Sequence, residues 1–187
     1  PQIVVGIRQG PTEEYVGEYN RRNDQLARLG EHVAAVLRHH GHRALARAPT
    51  HVGVDPETLS TALPHKTSAT RAGLGWIGKC ALLVTEEYGS AVRLTTVLTD
   101  APLVTGIPVD ESRCEECVDC FDICPGQAPS GNHWAAGKPR EEFFDAFACR
   151  DAAREQSARL STSHGICGRC IAVCPWTERY LRRAGVL

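Results

Sequence analysis

The sequence contains no methionine, and only 6% of its 187 residues are aromatic. It has no excess of either charge: the formal net charge is −1, which removes the electrostatic case for broad nucleic-acid or membrane-surface binding. No stretch approaches the roughly 18 consecutive apolar residues that a membrane span needs, so no membrane partner is expected. No secretory signal is visible. Because the chain begins at Pro1 in a strand-like run and lacks methionine, its natural N-terminus is expected to be absent, together with any targeting signal there. The rest of the composition, 42% hydrophobic and 23% charged, is that of a soluble protein with enough length for one large domain or two small ones.

Cysteine is the residue in excess, with nine copies. Cys114-Glu115-Glu116-Cys117-Val118-Asp119-Cys120-Phe121-Asp122-Ile123-Cys124-Pro125 has the C-x2-C-x2-C-x3-C-P spacing of a bacterial iron–sulfur segment. A shorter run, Cys167-x2-Cys170-x3-Cys174-Pro175, follows. Disulfides explain two runs each closed by Cys-Pro poorly, and spaced thiolates point to metal in a reducing compartment, the cytoplasm. Structural zinc also uses paired C-x2-C units, but zinc gives no reason for the interleaved pattern.

In two-cluster ferredoxins the cysteine before proline crosses to the other cluster. On that rule Cys114, Cys117, Cys120 and Cys174 hold cluster one, while Cys124, Cys167 and Cys170 hold cluster two. The second set is one ligand short. Cys149 and His164 are the candidates; thiolate is the usual ligand, which favours Cys149. Two clusters each passing one electron make a short wire, so electron transfer is the minimal function. Cys80 lies apart from both runs and reads as a small buried core residue.

Ile3-Val4-Val5-Gly6-Ile7 reads as a buried strand. Leu26, Leu29, Val33, Val36 and Leu37 fall at helical spacing between Asn23 and His40, with Asn23 or Asp24 as cap and Gly41 as terminator. Ala48 to Leu63 reads as loop and His65 to Ala72 as helix. Ala81 to Thr85 and Ala91 to Thr99 read as the strands of an antiparallel hairpin turning at Gly89. A composition shift around Thr105 to Asp110 marks a boundary. Beyond it, Arg140 to Leu160 is a charged helical pattern with Phe143, Phe144, Phe147 and Leu160 as core contacts.

Gly73-Leu74-Gly75-Trp76-Ile77-Gly78-Lys79 matches G-x-G-x-x-G. A dinucleotide fingerprint needs a strand before it and a helix after it; here that order is reversed. Two readings stand: a tight helix-to-strand turn with Trp76 in the core, or a backbone that closely approaches a ligand.

These features together resemble one known group. His65-Lys66-Thr67-x-Ala69-x-x-Ala72 running into Gly73–Lys79, then Leu82-Leu83-Val84-Thr85, Tyr88-Gly89-Ser90, Arg93-Leu94 and Leu98-Thr99-Asp100, are similar to the central segment of epoxyqueuosine reductases. The cysteine pattern with a lone Cys149, and the ending Cys170-Ile171-Ala172-Val173-Cys174-Pro175-Trp176, are similar too; corrinoid reductive dehalogenases are more distantly similar. The resemblance runs from about Ile3 to Leu181. It implies an α/β, nitroreductase-like α+β sandwich over residues 1–108 that cradles a cobalamin, and a mostly helical, bacterial ferredoxin-like domain over 109–187 with two [4Fe–4S] clusters. It further implies that Cys149 is the eighth ligand and that Gly73, Leu74, Gly75, Trp76, Ile77, Gly78 and Lys79 lie against the corrin. Two departures stand out. The proton-donating Asp of a D-x-x-P-type element would fall near Ser60, where Asp55 is the nearest acid, and no helical-repeat extension for tRNA follows the second cluster. Arg179, Arg182 and Arg183 form only a small basic cluster.

The reading is a cobalamin-dependent iron–sulfur reductase of a small-molecule substrate, fed by an external donor of ferredoxin or flavodoxin type. His65, Lys66 or Tyr88 are its candidate polar or proton-donating groups, and tRNA is not expected as a partner. An electron carrier for a partner corrinoid or flavin enzyme is the first alternative, and epoxyqueuosine reduction in tRNA the second. A homodimer would supply a second wall for the corrin.

Overall fold

The computed structural model describes residues 1–49 and 53–187. Its elements in chain order are helices α1 (Gln2–Gly6) and α2 (Glu13–His39), strand β1 (Ala44–Arg47), helix α3 (His65–Arg71), strands β2 (Trp76–Ile77), β3 (Leu83–Val84) and β4 (Thr96–Thr99), and helices α4 (Asp119–Asp122), α5 (Ala146–Ser157), α6 (Arg169–Val173) and α7 (Pro175–Arg183). The expected mixture of helix and strand is present. No helix among the described residues is long and apolar enough to cross a membrane.

The expected N-terminal strand is a helix, α1, which tightens into a 3-10 turn over Ile7–Gln9. Helix α2 begins well before Asn23: Thr12 Oγ1 accepts from the Tyr15 N–H at 3.1 Å, and Glu13 and Glu14 in the first turn oppose the helix dipole. Its end follows expectation, since Gly41 adopts φ +86° just past the last turn. Gly30 and Ala34 are buried on one face, and a Cβ on Gly30 would stand 3.5 Å from that of Ala46. Small residues thus let α2 lie close on the strand pair β1–β4.

The expected hairpin between residues 81–85 and 91–99 does not form. β4 pairs antiparallel with β1, Ala44 opposite Thr99 and Arg47 opposite Thr96. β3 pairs with β2 instead, Trp76 opposite Val84 and Ile77 opposite Leu83. Only a local bridge, Thr85 to Gly89, survives of the predicted turn. Of the loop expected over Ala48–Leu63, residues 50–52 lie outside the described residues; the remainder includes a bridge between Asp55 and Ser60.

One core joins Ala69, Ile77, Ala81, Leu83 and Phe143, with Phe144 packed against it. The other joins Val16, Tyr19 and Ile166, with Tyr15 and Leu160 alongside. Each core joins residues from before and after the stretch around residue 108, which sets the cysteine-rich part directly on the helix-and-strand part. Phe147, an expected core contact, is 39% exposed.

Candidate metal centre

The cysteines are brought together by backbone features that admit little substitution. Cys117 N–H donates to the Cys114 carbonyl at 3.0 Å, closing a turn that carries Glu115 at φ +47°. Cys120 lies within α4. At the next turn, a Cβ on Gly126 would stand 2.6 Å from the Ala148 carbonyl, so only glycine lets the Cys124-Pro125 turn press against α5, where Cys149 sits. Asp145 caps α5 by accepting from the N–H groups of Phe147 and Ala148. Gly168, at φ +85°, starts α6 between Cys167 and Cys170. Cys174 is the N-cap of α7, with Pro175 at its first position.

Two groups of sulfurs result. In the first, Cys117 is close enough to Cys120 and Cys174 to interact electrostatically, as Cys174 is to Cys114. In the second, Cys149 stands beside Cys124 and Cys167. Cys170 shares the neighbourhood of Tyr15 with Cys167, yet it also faces a cavity of about 230 Å³ lined by Cys80, Cys114, Cys117, Cys120 and Cys174. His164, the alternative ligand, has its ring against Tyr19 at 5.4 Å between centroids. No disulfide joins any of the nine cysteines. Among the described residues, no three His, Cys, Asp or Glu side chains close on one point as the ligands of a single ion would; the sulfurs are spread over a cavity wall.

The electrostatics are those of crowded thiols, half-buried except for the buried Cys80. Burial raises the thiols of Cys117, Cys167 and Cys174, and pushes Cys149 up to about 11, with Cys124 and Cys167 adding to it. Cys120 is raised by its hydrogen bond with Cys80 and then by burial. Thiols held this way keep their protons until a metal supplies compensating charge. The donor set therefore fits a thiolate-ligated metal group. Cys124 Sγ also accepts from the Ala128 N–H at 3.4 Å, the kind of second contact that orients a ligand.

Cys80 is the residue that spacing did not place. It is 6% exposed, as a core residue would be, but the wall it belongs to is the cysteine cavity.

The glycine segment is a turn from α3 into β2, with Trp76 fully buried. A Cβ on Gly75 would meet the Val84 carbonyl at 2.1 Å, and one on Gly73 the Ile107 carbonyl at 2.6 Å. These glycines serve close approach of the chain to itself. Of the segment, Gly73 and Leu74 are exposed and the rest is covered; Gly78 and Lys79 line the cysteine cavity.

The three polar candidates have separate engagements. His65 Nε2 faces the Ala48 carbonyl at 2.8 Å and Nδ1 faces Thr96 Oγ1 at 2.7 Å. A carbonyl only accepts, so Nε2 carries a proton. Lys66 Nζ donates to the Ala81 carbonyl at 2.5 Å; burial lowers its pKa, with Cys80 and Cys149 acting the other way. Tyr88 is 42% exposed and packs edge-on against Tyr180. Asp55 Oδ1 accepts from the Glu57 N–H within its own turn. Arg179 stacks over Trp176 at 4.4 Å, and Arg183 donates to the Glu87 carbonyl.

No established protein-family profile matches the chain. It is 29% identical over 182 residues to an epoxyqueuosine reductase of Pseudomonas aeruginosa, covering 94% of this chain and 47% of that protein. It is 33% identical over 114 residues to the tetrachloroethene reductive dehalogenase of Sulfurospirillum multivorans, covering 59% of this chain and 23% of that one. The chain thus spans less than half the length of either. A crystal structure of epoxyqueuosine reductase with an epoxyqueuosine-modified tRNA-Tyr stem loop superposes with a TM-score of 0.60 at 24% identity, over 84% of this chain and 39% of that one. A catabolic reductive dehalogenase in complex with 3-bromo-4-hydroxybenzoic acid gives 0.70 at 20% identity, over 95% and 24%. The chain is a relative of the group that contains the epoxyqueuosine reductases and the reductive dehalogenases.

Proposed function

We propose that this chain is the electron-supplying part of an iron–sulfur reductase. One [4Fe–4S] cluster is held by Cys114, Cys117, Cys120 and Cys174, and a second by Cys124, Cys149, Cys167 and Cys170. The observation that carries this reading is the gathering of sulfurs from both cysteine runs, Cys114, Cys117 and Cys120 with Cys170 and Cys174, on the wall of one cavity, with Cys149 near Cys124 and Cys167. When bound, the clusters supply one-electron transfer. The chain's own contribution is to shield the ligands partly from water, to fix them on glycine-dependent turns, and to aim N–H and O–H groups at sulfurs such as those of Cys124 and Cys174. An external donor of ferredoxin or flavodoxin type would fill the clusters. The division at residue 108 is then one of labour, a ferredoxin-like part feeding a nitroreductase-like part.

For cobalamin the fit is incomplete. The cysteine cavity, about 230 Å³, is below even the range of about 300–1,000 Å³ usual for small-ligand sites, and Gly75 to Lys79 are covered by protein. Of the glycine segment, Gly73 and Leu74 stay open, with exposed Leu103, Val104 and Ile107 on the stretch that crosses Gly73. That is a shelf for a flat apolar-edged group and not an enclosure, so a corrin needs a second wall, from a homodimer partner or another chain.

For the substrate, relatives named epoxyqueuosine reductase, one of them crystallised with a modified tRNA stem loop, support epoxyqueuosine in tRNA better than a small molecule. We adopt that reading in place of the small substrate expected from the sequence. The test is anaerobic turnover of an epoxyqueuosine-modified tRNA-Tyr stem loop by cluster-reconstituted protein with cobalamin and a chemical reductant. Queuosine is the expected product. No queuosine, together with a cob(II)alamin EPR signal that the protein leaves unchanged, would instead favour an electron carrier.

A further inference from the structure

We propose that the thiol of Cys80 is a hydrogen-bond donor to the ligand sulfurs of both clusters, so that one residue outside the ligand set tunes the pair. The inference rests on the two-cluster reading above.

Cys80 projects from the loop that joins β2 to β3. That loop is tied by the Gly78 N–H donating to the Leu82 carbonyl at 2.9 Å and the Ala81 N–H donating to the Gly78 carbonyl at 2.8 Å. Ala81 takes φ +57°, and its carbonyl is held by Lys66 Nζ. Pinned on both sides, Cys80 faces inward onto the cavity it shares with Cys114, Cys117, Cys120, Cys170 and Cys174. Gly78 lies beside these sulfurs: a Cβ there would meet Val84 Cγ2 at 2.9 Å and would stand at ordinary contact distance from Cys114 Sγ, 3.5 Å, and Cys80 Sγ, 3.6 Å. On that cavity wall the neighbours of Cys80 include Cys120, from the first ligand set, and Cys170, from the second, and Cys80 interacts with both.

The chemistry follows from counting protons. Two cubanes take four thiolates each, and a thiolate bound to iron is an acceptor only. Of the nine cysteines, Cys80 alone is then left with a hydrogen to give. A hydrogen bond to a ligand sulfur stabilises the extra negative charge of the reduced cluster, so it raises the midpoint potential. With one hydrogen, Cys80 donates to Cys120 or to Cys170 at any instant. The potentials of the two clusters are thereby linked through a single rotor.

The test is a redox titration, followed by EPR, of reconstituted wild type, Cys80→Ala and Cys80→Ser, with iron and sulfide measured on each. All three are expected to carry the same iron. The midpoint of at least one cluster should move to a more negative value in Cys80→Ala and return toward wild type in Cys80→Ser, whose hydroxyl restores a donor of similar size. Loss of a cluster from both variants would make Cys80 a ligand and overturn the proposal. Full iron with unmoved midpoints in both would leave it an ordinary core residue, again against the proposal. A wild type without iron and sulfide would overturn the cluster reading itself, a different failure.

Discussion

Thr177 Oγ1 accepts a hydrogen bond from the Ser90 N–H at 3.0 Å, and both residues are buried. The contact locks the turn after β3 onto the first turn of α7, directly behind Cys174, whose sulfur Ser90 also contacts. It explains why the sequence around Gly89 does not continue as a hairpin. A Cβ on Gly89 would stand 2.2 Å from the Thr177 backbone nitrogen, and Gly89 has φ +59°.

Thr177→Val keeps the shape of the side chain but leaves the Ser90 N–H without its acceptor. Leaving a buried donor unpaired costs about 1–3 kcal/mol. Gly89→Ala should cost more, because it adds a backbone collision and a strained φ. Urea unfolding of the two variants, read by the midpoint at unchanged slope, measures the order.

The choice between Cys149 and His164 predicts opposite metal contents. Cys149→Ala should lose roughly half of the iron, one cluster of two. His164→Ala should keep all of it, because the His164 ring packs on Tyr19 while Cys149 stands with Cys124 and Cys167. Iron analysis of the two variants, reconstituted side by side, checks both.

The cap of α5 should matter to the same cluster. Asp145→Ala removes the acceptor for two N–H groups and should cost about 1 kcal/mol. It also frees the turn that presents Cys149. Chelator challenge of the reconstituted protein should strip iron faster from this variant than from wild type, with Asp145→Asn intermediate.

Tyr15 provides a pH dependence. Burial pushes its phenol up to about 12, against an offset from Arg93, whereas the unfolded phenol titrates near 10. Between those values the unfolded chain holds fewer protons than the folded one, so stability is full below about pH 10 and falls as pH rises toward 12. Tyr15→Phe should lose less stability than wild type between about pH 9 and pH 11, as measured by urea midpoints at both.

What the sequence makes legible differs by residue, for physical reasons. That the two cysteine runs meet on one cavity wall is legible in their spacing, because closely spaced like side chains on tight turns point into a common volume. Gly41 could be placed because a left-handed cap has few alternatives. Ile3 to Ile7 could not be, because five apolar residues suit a short helix as well as a strand. The start of α2 is hidden because Glu13 to Asn23 is mostly polar, although Val16 and Tyr19 already carry helical spacing. The pairing of β4 with β1, and of β3 with β2, depends on contacts distant in sequence that local alternation does not encode. Cys80 was read correctly as buried, but no spacing rule says which wall a buried cysteine faces.

The central claim is two cubane clusters on eight of the nine cysteines. Iron and acid-labile sulfide, counted per chain after anaerobic reconstitution and supported by EPR of the reduced protein, test it most directly. The account predicts about eight of each, with signals broadened by coupling between neighbouring clusters. Fewer than about seven irons, or iron without matching sulfide, would contradict it.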